Sequence, residues 1–482
     1  MSAQAGPLVV GVDSSTQSTK ALVVDAGTGA VVARGQSSHT VSPGPGRESD
    51  PAQWWDALAE ALGQCGDAAR RAGAVAVGGQ QHGLVTLDSA GKPVRPALLW
   101  NDVRSAAQAE RLVAELGGPQ VWAQRFGSVP TASFTAPKWA WLRETEPEAA
   151  RATAAVRLPH DYLTERLTGE AVTDRGDASG TGWWATATEA YDEEVLEHLG
   201  LSPEALPRVA RPGEAAGTVL DDSLPLPKGA LVAPGTGDNM AAALGLGLRP
   251  GRPVISLGTS GTAYAVTKRR PADPSGIVAG FADARGDWLP LACTLNCTLA
   301  VDRMAALLGL DREAVEPGGT AVVLPFLDGE RTPNLPWASG TVLGLRHDTT
   351  PGQILQAAYD GAAFTLLHAL EQVLDAEGGE GGSGAAADEA LLLIGGGARG
   401  RAWQETLRRL SGRFVVVPVA QELVALGAAA QAAGLLLGED PAAVSRRWGT
   451  AQGPGLEPVE RDMAAWERIG ESLRAVTGLP RL

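Results

Sequence analysis

The residue with the clearest potential for catalysis is an aspartate at a predicted strand-to-helix turn. Asp238 follows an apolar strand predicted at residues 231–233 and precedes a helix of small residues predicted at 240–247. A carboxylate in such a turn is exposed at the sheet edge where α/β folds bind ligands. There it can accept the proton of an attacking hydroxyl group. The same position also suits a residue that only caps the helix, and the local sequence leaves both interpretations open.

Two turns rich in hydroxyl groups are candidates for binding phosphate. They lie at residues 13–20 and 258–261, and each joins two apolar segments. Backbone N–H groups and hydroxyls on a tight turn form a concave surface that suits phosphate oxygens. The side chains concerned are Ser14, Ser15, Thr16, Thr259 and Ser260. Asp13, at the end of the first strand, is a candidate ligand of Mg²⁺, directly or through water.

Each turn also has a plainer interpretation as a surface β-turn, where Ser, Thr and Asp are common. The first turn taken alone favours that interpretation. The glycines of the second turn let a ligand approach the backbone closely, and two such turns facing a cleft would hold successive phosphates of one nucleotide. The chain has no GxxxxGK[ST] segment, which excludes a P-loop.

A glycine triplet at residues 395–397 closes an apolar strand and precedes a predicted helix. Gly396 and Gly397 would admit an adenine or ribose against the backbone. A turn from strand to helix needs glycine for its own geometry, so the triplet alone is weak evidence.

Candidate sugar ligands follow two other apolar strands. Gln81 and His82 come after the strand predicted at 74–79, and Trp100 follows Leu98 and Leu99. Amide and imidazole groups bind hydroxyls, and a flat aromatic face suits a sugar. A single histidine in a loop is more often a local hydrogen-bond partner, and most of the 13 tryptophans are expected to serve packing.

The elements that position these residues follow an α/β pattern. Residues 7–12, 20–25 and 31–35 predict three short antiparallel strands. A helix is predicted from Pro51 to residue 71, with Asp50 as its N-cap and Gln53 completing a capping box. The strand at 74–79 follows, and this order predicts an α/β sheet of mixed pairing.

The strand–turn–strand pattern of the N-terminus returns at residues 253–266. This weak internal repeat predicts one hairpin in each of two domains. Two domains also follow from the length of 482 residues, which exceeds what one compact core commonly holds.

Composition and charge exclude several classes of partner. The net charge of −15 disfavours nucleic acid and anionic membranes, but it does not exclude ATP accompanied by magnesium. The three cysteines make no disulfide framework, and Cys293 and Cys297 are expected to be small buried thiols. Neither a signal peptide nor a long apolar stretch is present, which predicts a cytoplasmic protein. Residues 376–388 are Gly-rich and predict a flexible surface loop.

In combination, these segments resemble the FGGY family of carbohydrate kinases. The resemblance covers nearly the whole chain, and ten segments in the family's order are highly specific. They are GVDSSTQSTKALVVD (11–25), DPAQWWDAL (50–58), GGQQHG (78–83), LLWND (98–102), FTAPKWAWL (134–142), LPHDYLTERLTGE (158–170), PGTGDNMAAALG (234–245), SLGTSGT (256–262), LPFLDGERTP (324–333) and LIGGGARG (393–400).

The resemblance implies two domains of ribonuclease H/actin-like fold, with the active site in the cleft between them. Residues 1–248 would carry the sugar site and the catalytic aspartate, and residues 249–482 would bind ATP. The implied reaction uses ATP and Mg²⁺ to phosphorylate a sugar. Within the family, the segments look most like those of members that convert D-xylulose to D-xylulose 5-phosphate. Homodimers are common in the family.

The resemblance also implies a role for each candidate residue. Asp238 matches the general base, and Asp13 matches the residue near magnesium and the phosphates. The implied sugar-binding set is Gln81, His82, Asp238 and Asn239, and the implied nucleotide contacts are Thr259, Gly396 and Gly397, with Arg401 a looser match. Many bacterial members have GQMHG where this chain has GQQHG, so Gln81 replaces a methionine. A backbone contact survives that change, but a side-chain packing contact does not.

Two alternatives remain at this stage. The first is another sugar or polyol as substrate, namely ribulose, gluconate, fucose or glycerol, although the GQQHG and LLWND segments favour xylulose. The second is a non-catalytic sensor of sugar or nucleotide. Such a sensor would have lost the base or the phosphate turns, whereas this chain keeps Asp13, Asp238 and Thr259.

Overall fold

A computed structural model of the chain describes residues 6–42, 46–375 and 389–478. The predicted Gly-rich loop at 376–388 lies outside the described residues. Two seven-stranded sheets form the framework, and helices pack on both faces of each. This arrangement confirms the predicted α/β class.

The described residues form strands that are mostly short and helices of four to 25 residues. The strands are β1 (Leu8–Ser14), β2 (Ser18–Asp25), β3 (Val31–Ser38), β4 (Glu48–Ser49), β5 (Ala72–Gly79), β6 (Val85–Leu87), β7 (Ala97–Leu98), β8 (Ala155–Arg157), β9 (Val172–Asp174), β10 (Trp184–Ala185), β11 (Ala190–Tyr191), β12 (Arg208–Ala210), β13 (Gly217–Thr218), β14 (Leu231–Val232), β15 (Thr236–Gly237), β16 (Val254–Leu257), β17 (Gly261–Tyr264), β18 (Ala279–Ala282), β19 (Trp288–Thr294), β20 (Val322–Leu324), β21 (Thr341–Leu343), β22 (Leu391–Ile394), β23 (Val415–Val416) and β24 (Gly455–Leu456). The helices are α1 (Pro51–Cys65), α2 (Ala106–Glu115), α3 (Gly118–Phe126), α4 (Thr135–Thr145), α5 (Pro147–Ala152), α6 (Pro159–Thr168), α7 (Arg175–Ala178), α8 (Glu193–Leu199), α9 (Asp238–Gly245), α10 (Thr298–Leu308), α11 (Pro351–Asp375), α12 (Arg401–Ser411), α13 (Leu423–Leu437), α14 (Pro441–Trp448) and α15 (Met463–Thr477). Short 3-10 turns lie at Gly66–Arg71, Pro203–Ala205 and Gly396–Arg399.

The first sheet has the strand order β13-β14-β5-β1-β2-β3, and β15 also pairs with β5. β1 runs antiparallel to β2 and parallel to β5, which is the mixed pairing that the sequence predicts. Because β5 and β15 run side by side, the loops that follow them, at residues 80–82 and at Asp238, leave the sheet at the same edge.

The second sheet repeats this design in the order β18-β19-β17-β16-β22-β23-β24. β16 runs antiparallel to β17 and parallel to β22, just as β1 relates to β2 and β5. The weak internal repeat in the sequence is therefore confirmed as one hairpin in each sheet.

Helix α13 comes late in the chain but packs on the first sheet, against β1 and β5. The approach is close: a Cβ on Gly11 in β1 would lie 1.9 Å from the backbone oxygen of Ala425. Alanines 428–430, 432 and 433 are buried in the core shared with Val9 and Leu22. Only glycine and alanine allow backbones this close, so the composition of both segments follows from the packing.

Helix α9 connects the two halves of the molecule. On one side it packs against α13. On the other side Met240 and Ala243 share a buried core with Val254 and Leu392 of the second sheet. Asp238, its first residue, is therefore held by elements of both sheets.

Two local predictions require correction. The helix after Asp50 ends at Cys65 and continues to Arg71 only as a 3-10 turn. Asp50 does cap it, because its Oδ1 accepts a hydrogen bond from the Ala52 N–H at 2.9 Å. The capping box is wrong, since the Oε1 of Gln53 instead accepts hydrogen bonds from the N–H and hydroxyl of Thr40.

The cysteines and helices bear on two other expectations. All three cysteines are free thiols; Cys65 and Cys297 are buried and Cys293 is half-buried. Over the described ranges, no single helix is long and apolar enough to cross a membrane. Helices α13 and α14 together have the length and apolar composition of a span, but they are bent by 115° and residues 425–434 of α13 are buried inside the protein.

Candidate active site

A cavity of about 590 Å³ lies between the two sheets and brings together several predicted residues. Asp13, Asp238 and Asn239 line it from the first sheet and α9, and Gly395 and Gly396 line it from the second sheet. The catalytic candidate Asp238 and the magnesium candidate Asp13 thus share one space with Gly396, one of the nucleotide candidates.

Asp238 is not the N-cap of α9; that position belongs to Gly237. The Oδ1 of Asp238 accepts hydrogen bonds from the backbone N–H of Asn239 at 2.8 Å and from Asn239 Nδ2 at 3.0 Å. The side chain is partly open to the cavity. Of the two interpretations that the sequence leaves open, the geometry therefore disfavours capping.

The electrostatic environment suits Asp238 for proton transfer. Burial raises the pKa of its carboxyl to about 7, and the negative charges of Asp13 and Asp177 act in the same direction. A base is most effective when its pKa lies near the working pH, because it is then both available and strong enough to take a proton.

Asp13 lies at the end of β1, opposite Lys20 in the hairpin. Burial raises the pKa of Asp13 to about 6; the positive charge of Lys20 lowers it and the negative charge of Glu422 raises it. Lys20 Nζ forms an ion pair with Glu422 at 2.5 Å. Because Lys20 is already paired with Glu422, the buried Asp13 carboxylate is not fully neutralised. Asp13 is therefore a suitable place for a further positive charge, such as a metal ion.

The donor set at Asp13 fits Mg²⁺ better than a metal held wholly by protein. Across the residues with described positions, no group of three or more His, Cys, Asp or Glu side chains is arranged to hold a metal ion. Mg²⁺ commonly takes one or two carboxylates and completes its shell with water and phosphate oxygens. A single Asp13 in a nucleotide-sized cavity matches that preference.

The first hydroxyl-rich turn is tied together by its own side chains. The hydroxyl of Ser14 is buried 3.3 Å from that of Thr19, and Ser15 Oγ donates to the Ser18 carbonyl at 2.9 Å. Thr16 Oγ1 accepts a hydrogen bond from Trp100 Nε1 at 3.2 Å. The half-buried Trp100, a sugar candidate, is therefore linked directly to a phosphate candidate.

The second turn is anchored by helix α10. The carbonyl of Gly258 accepts hydrogen bonds from the backbone N–H and the hydroxyl of Thr298, at 3.2 and 2.8 Å. Thr259 is exposed and Ser260 is half-buried. Both side chains remain accessible, although the cavity as it stands is lined by the nearby Ser256 instead.

The three glycines of the triplet do not all serve the same purpose. Gly396 is exposed to the cavity, and a Cβ built on it would meet no atom within 4 Å. Gly395 has φ of 85° and Gly397 packs against Leu257 and Thr298, so these two glycines are required by the fold. Of the triplet, Gly396 has the free space that a nucleotide would use.

The arginine that lines the cavity is not Arg401, the one matched from the sequence. Arg401 is the exposed first residue of α12 and does not line the cavity, whereas Arg399 in the preceding 3-10 turn does. The signal that points to Arg399 is its place within the turn that directly follows the glycines.

Gln81 and Asn239 join the two loops that leave the first sheet. Gln81 Oε1 accepts a hydrogen bond from Asn239 Nδ2 at 2.8 Å. Gln81 Nε2 is buried and has no hydrogen-bond partner among the described residues. The glutamine that replaces methionine here thus makes a polar contact with the neighbour of Asp238, which a methionine would not make.

His82 has φ of 64° and lies buried at the end of its loop. Its Nδ1 donates a hydrogen bond to the Gly180 carbonyl at 2.8 Å, and its ring stacks on Phe134 with centroids 5.1 Å apart. Burial, together with the positive charges of Lys138 and Arg331, lowers the pKa of His82 to about 3. The imidazole is therefore neutral, which leaves Nε2 as an acceptor for a hydroxyl group.

Several residues of the cavity were missed by sequence reasoning. Lys20, Glu422 and Tyr264 line it beside the predicted residues. The Tyr264 hydroxyl is buried with no hydrogen-bond partner in the described structure. Lys20 lies within the first recognised segment, but no local pattern links Glu422 to the cavity, because α13 reaches it only through the fold.

Comparison with known proteins assigns both halves of the chain. Residues 8–245 match the N-terminal domain, and residues 254–435 the C-terminal domain, of the FGGY family of carbohydrate kinases. The chain is 75% identical over 470 residues to a xylulose kinase of Streptomyces coelicolor, covering 97% of this chain and 96% of the relative. It is 74% identical to a xylulose kinase of Streptomyces rubiginosus over the same shares of the two chains.

A solved structure agrees with these matches. The crystal structure of xylulose kinase from Bifidobacterium adolescentis superposes with a TM-score of 0.85 at 36% identity, covering 98% of this chain and all of that one. The similarity therefore extends over both sheets and the cavity between them.

Proposed function

The chain belongs to the FGGY family of carbohydrate kinases, and we propose from this that it transfers the γ-phosphoryl group of ATP to D-xylulose, giving ADP and D-xylulose 5-phosphate. The observation that carries the reaction type is the cavity that holds Asp238 and Asp13 beside the Gly396 backbone. The choice of sugar is supported by the high identity to the Streptomyces xylulose kinases over nearly the whole chain.

In the proposed mechanism, Asp238 accepts the proton of the C5 hydroxyl of the sugar as its oxygen attacks the γ-phosphorus. The bond from phosphorus to the bridging oxygen breaks, and ADP leaves with that electron pair. Asn239 holds the carboxylate through its two hydrogen bonds to Oδ1. The raised pKa of Asp238 makes it strong enough to take the proton near neutral pH.

We propose Asp13 as the residue that holds Mg²⁺, directly or through water. When bound, the ion neutralises charge on the phosphate oxygens. Asp13 would supply a carboxylate that is already buried beside the cavity, and Lys20 would add a positive charge if a phosphate displaced Glu422 from its ion pair.

The nucleotide site is proposed to combine the two hydroxyl-rich turns with the glycine turn. Ser14, Ser15 and Thr16 would contact phosphate oxygens from the first domain, and Thr259 and Ser260 from the second. Gly396 would receive the adenosine, since the space above it is free. Gly397 and Arg401 would act indirectly, as supports of this turn, because neither lines the cavity.

The sugar site is proposed to be formed by Gln81, His82, Asn239 and Trp100 around Asp238. The neutral His82 offers an acceptor nitrogen and Gln81 offers a free amide donor. Trp100 would contact the sugar with its ring, because its N–H is engaged by Thr16. These groups match the alternating donors and acceptors of a polyol.

A boundary at residue 248 between two domains is kept as part of the proposal. The gap between the two family matches and the change of sheet between β15 and β16 support it. Helix α13 belongs to the second part of the chain but packs on the first sheet. Closure of the cleft around the substrates would exclude water and limit hydrolysis of ATP.

A substrate panel tests the proposed function. Initial rates of ADP release would be measured with MgATP and D-xylulose, ribulose, gluconate, fucose or glycerol. We expect the highest kcat/KM with D-xylulose. A kcat/KM that is about tenfold higher for another sugar would correspond to 1.4 kcal/mol in favour of that substrate and would refute the assignment.

Two further expectations complete the proposal. A cytoplasmic location is proposed because ATP is the phosphoryl donor, and cell fractionation would test it. A homodimer is proposed from the family resemblance, and light scattering of the purified protein would show about twice the mass of 49.5 kDa if this is right.

A further inference from the structure

His160 lies wholly buried in helix α6, wedged between the two loops of the proposed active site. A Cβ on Gly79 would lie 3.0 Å from His160 Cβ, and a Cβ on Gly235 would lie 2.9 Å from His160 Nδ1. Gly79 leads directly into Gln80, Gln81 and His82, and Gly235 leads into residues 236–238. His160 therefore contacts the start of both the sugar-binding loop and the loop of the catalytic base.

Three carboxylates surround this histidine. Its Nε2 lies 3.3 Å from Asp161 Oδ1, 3.3 Å from Asp177 Oδ2 and 3.7 Å from Asp174 Oδ1. Burial by itself would lower the pKa of His160, but these carboxylates raise it to about 9. Burial also raises the pKa of the Asp161, Asp174 and Asp177 carboxyls, and the positive charge of His160 acts in the opposite direction on each. His160 is therefore the cation that favours the ionised form of this buried acidic cluster.

One of these carboxylates reaches the catalytic base. Asp174 Oδ2 accepts a hydrogen bond from Thr236 Oγ1 at 2.7 Å, and Thr236 lies two residues before Asp238. The Asp174 carboxylate also accepts hydrogen bonds from the N–H groups of Gly176 and Asp177, both at 2.9 Å. The Asp174 carboxylate is therefore fixed in orientation, and it anchors β15 through the Thr236 hydroxyl.

Asp177, whose carboxylate faces His160, connects to the sugar-binding side through its backbone carbonyl. The Gly180 N–H donates to the Asp177 carbonyl at 3.0 Å, and the Gly180 carbonyl accepts the hydrogen bond from His82 Nδ1. Within the described structure, His160 is the only basic side chain within 4.0 Å of the Asp177 carboxylate. The segment at residues 177–180, which orients His82, thus begins at Asp177, and the buried carboxylate of Asp177 is paired with His160.

We infer that His160 is a positioning residue for phosphoryl transfer: its imidazolium holds Asp174 and Asp177, and these fix the loops of Asp238 and His82 relative to each other. This inference rests on the proposed kinase function. Removing the positive charge would leave neighbouring buried carboxylates without compensation. They would separate, and both loops would move with them.

The test compares His160→Gln, which removes the charge, with His160→Lys, which keeps it. The matched control is His198→Gln, which removes an exposed histidine of α8 that pairs with Glu115 at 3.2 Å and does not line the cavity. A displacement of about 1 Å in the reacting groups costs about 100-fold. We expect a loss of that order in kcat for His160→Gln with a raised KM for the sugar, an unchanged KM for ATP, and at least about tenfold recovery in His160→Lys.

A merely structural role would give a different pattern. A structural role would reduce the fraction of active enzyme, measured by ADP titration. It would not raise the KM for the sugar while leaving the KM for ATP unchanged. That pattern, equal losses in the Gln and Lys variants, or a His160→Gln enzyme as active as the parent would each overturn the inference. If the parent and His198→Gln fail to phosphorylate the sugar, it is the proposed function that fails.

A second variant covers the case in which His160→Gln does not fold. Thr236→Val removes only the hydroxyl that bonds Asp174 and leaves every charge in place. We expect it to fold and to lose about tenfold in kcat, the size expected for one lost hydrogen bond to a charged group, with the KM for ATP unchanged. A Thr236→Val enzyme with the kcat of the parent would contradict the inference.

Discussion

The glycine turn at the end of β22 allows nucleotide binding to be separated from folding by two neighbouring substitutions. Gly396 has ordinary backbone geometry, and its Cβ would meet nothing within 4 Å. Gly395 has φ of 85°, and its Cβ would lie 2.7 Å from the Leu257 carbonyl oxygen. Gly396→Ala should therefore weaken nucleotide binding, and Gly395→Ala should lower the stability of the folded protein.

The expected magnitudes follow from this geometry. Gly395 has φ of 85° and ψ of 175°, a backbone region that is essentially restricted to glycine, and holding an alanine there costs about 1–3 kcal/mol. The contact with Leu257 adds to this, so Gly395→Ala should lower the free energy of unfolding by about 2 kcal/mol or more. Gly396→Ala should leave it unchanged or raise it by up to about 1 kcal/mol, because alanine restricts the unfolded chain. A methyl group forced into a close contact costs about 1–3 kcal/mol, which weakens nucleotide binding about tenfold or more.

Two measurements check this pair of variants. Denaturant unfolding gives the free energies of unfolding, and calorimetric titration with ADP gives the dissociation constants. If Gly396→Ala binds ADP as tightly as the parent, the nucleotide does not lie against this turn. If Gly396→Ala loses as much stability as Gly395→Ala, the stated backbone geometry is wrong.

Three further predictions concern the acid groups and the helix packing. The pKa of Asp238, raised to about 7, means that the active, deprotonated form is lost as the pH falls, so kcat/KM should decrease about tenfold per pH unit below 7; a rate that is flat from pH 8 to about pH 5.5 would contradict this. Asp13→Asn should raise the Mg²⁺ concentration needed for half-maximal rate by about tenfold or more, and an unchanged Mg²⁺ requirement would exclude Asp13 as its ligand. Gly427→Ala would place a Cβ 1.7 Å from the Ala241 carbonyl oxygen and should lower the melting temperature sharply. Gly63→Ala in α1, where a Cβ would meet nothing within 4 Å, should instead stabilise the protein by about 0.5–1 kcal/mol. Calorimetric melting of both variants checks the packing of α13 on α9.

The features that the sequence predicts well are those set by local patterns. The alternation of apolar strand and hydroxyl-rich turn specifies both hairpins, and the pairings β1–β2 and β16–β17 agree with it. The position of Asp238 at a strand-to-helix turn also follows from the local sequence. These features depend on neighbouring residues, so the sequence contains the information in one place.

The features that the sequence does not predict depend on contacts between distant segments. Lys20 and Glu422 form an ion pair across 402 positions because α13 packs on β1. His160 meets Asp174 and Asp177 beneath the active-site loops, and although it lies in the recognised segment at 158–170, nothing in that segment points to the two aspartates. Arg399 rather than Arg401 lines the cavity because the 3-10 turn directs it there. Such contacts are set by tertiary packing and leave no periodic signal.

The most direct test of the role of Asp238 is a comparison of the parent with Asp238→Asn. The variant keeps the size of the side chain and its neighbour Asn239, but it removes the group that takes the proton. Single-turnover transfer from MgATP to D-xylulose should fall by about 10²–10⁴-fold, the usual contribution of a general base, while titration shows D-xylulose bound as in the parent. A variant that retains more than about a tenth of the parent's rate would show that another group accepts the proton.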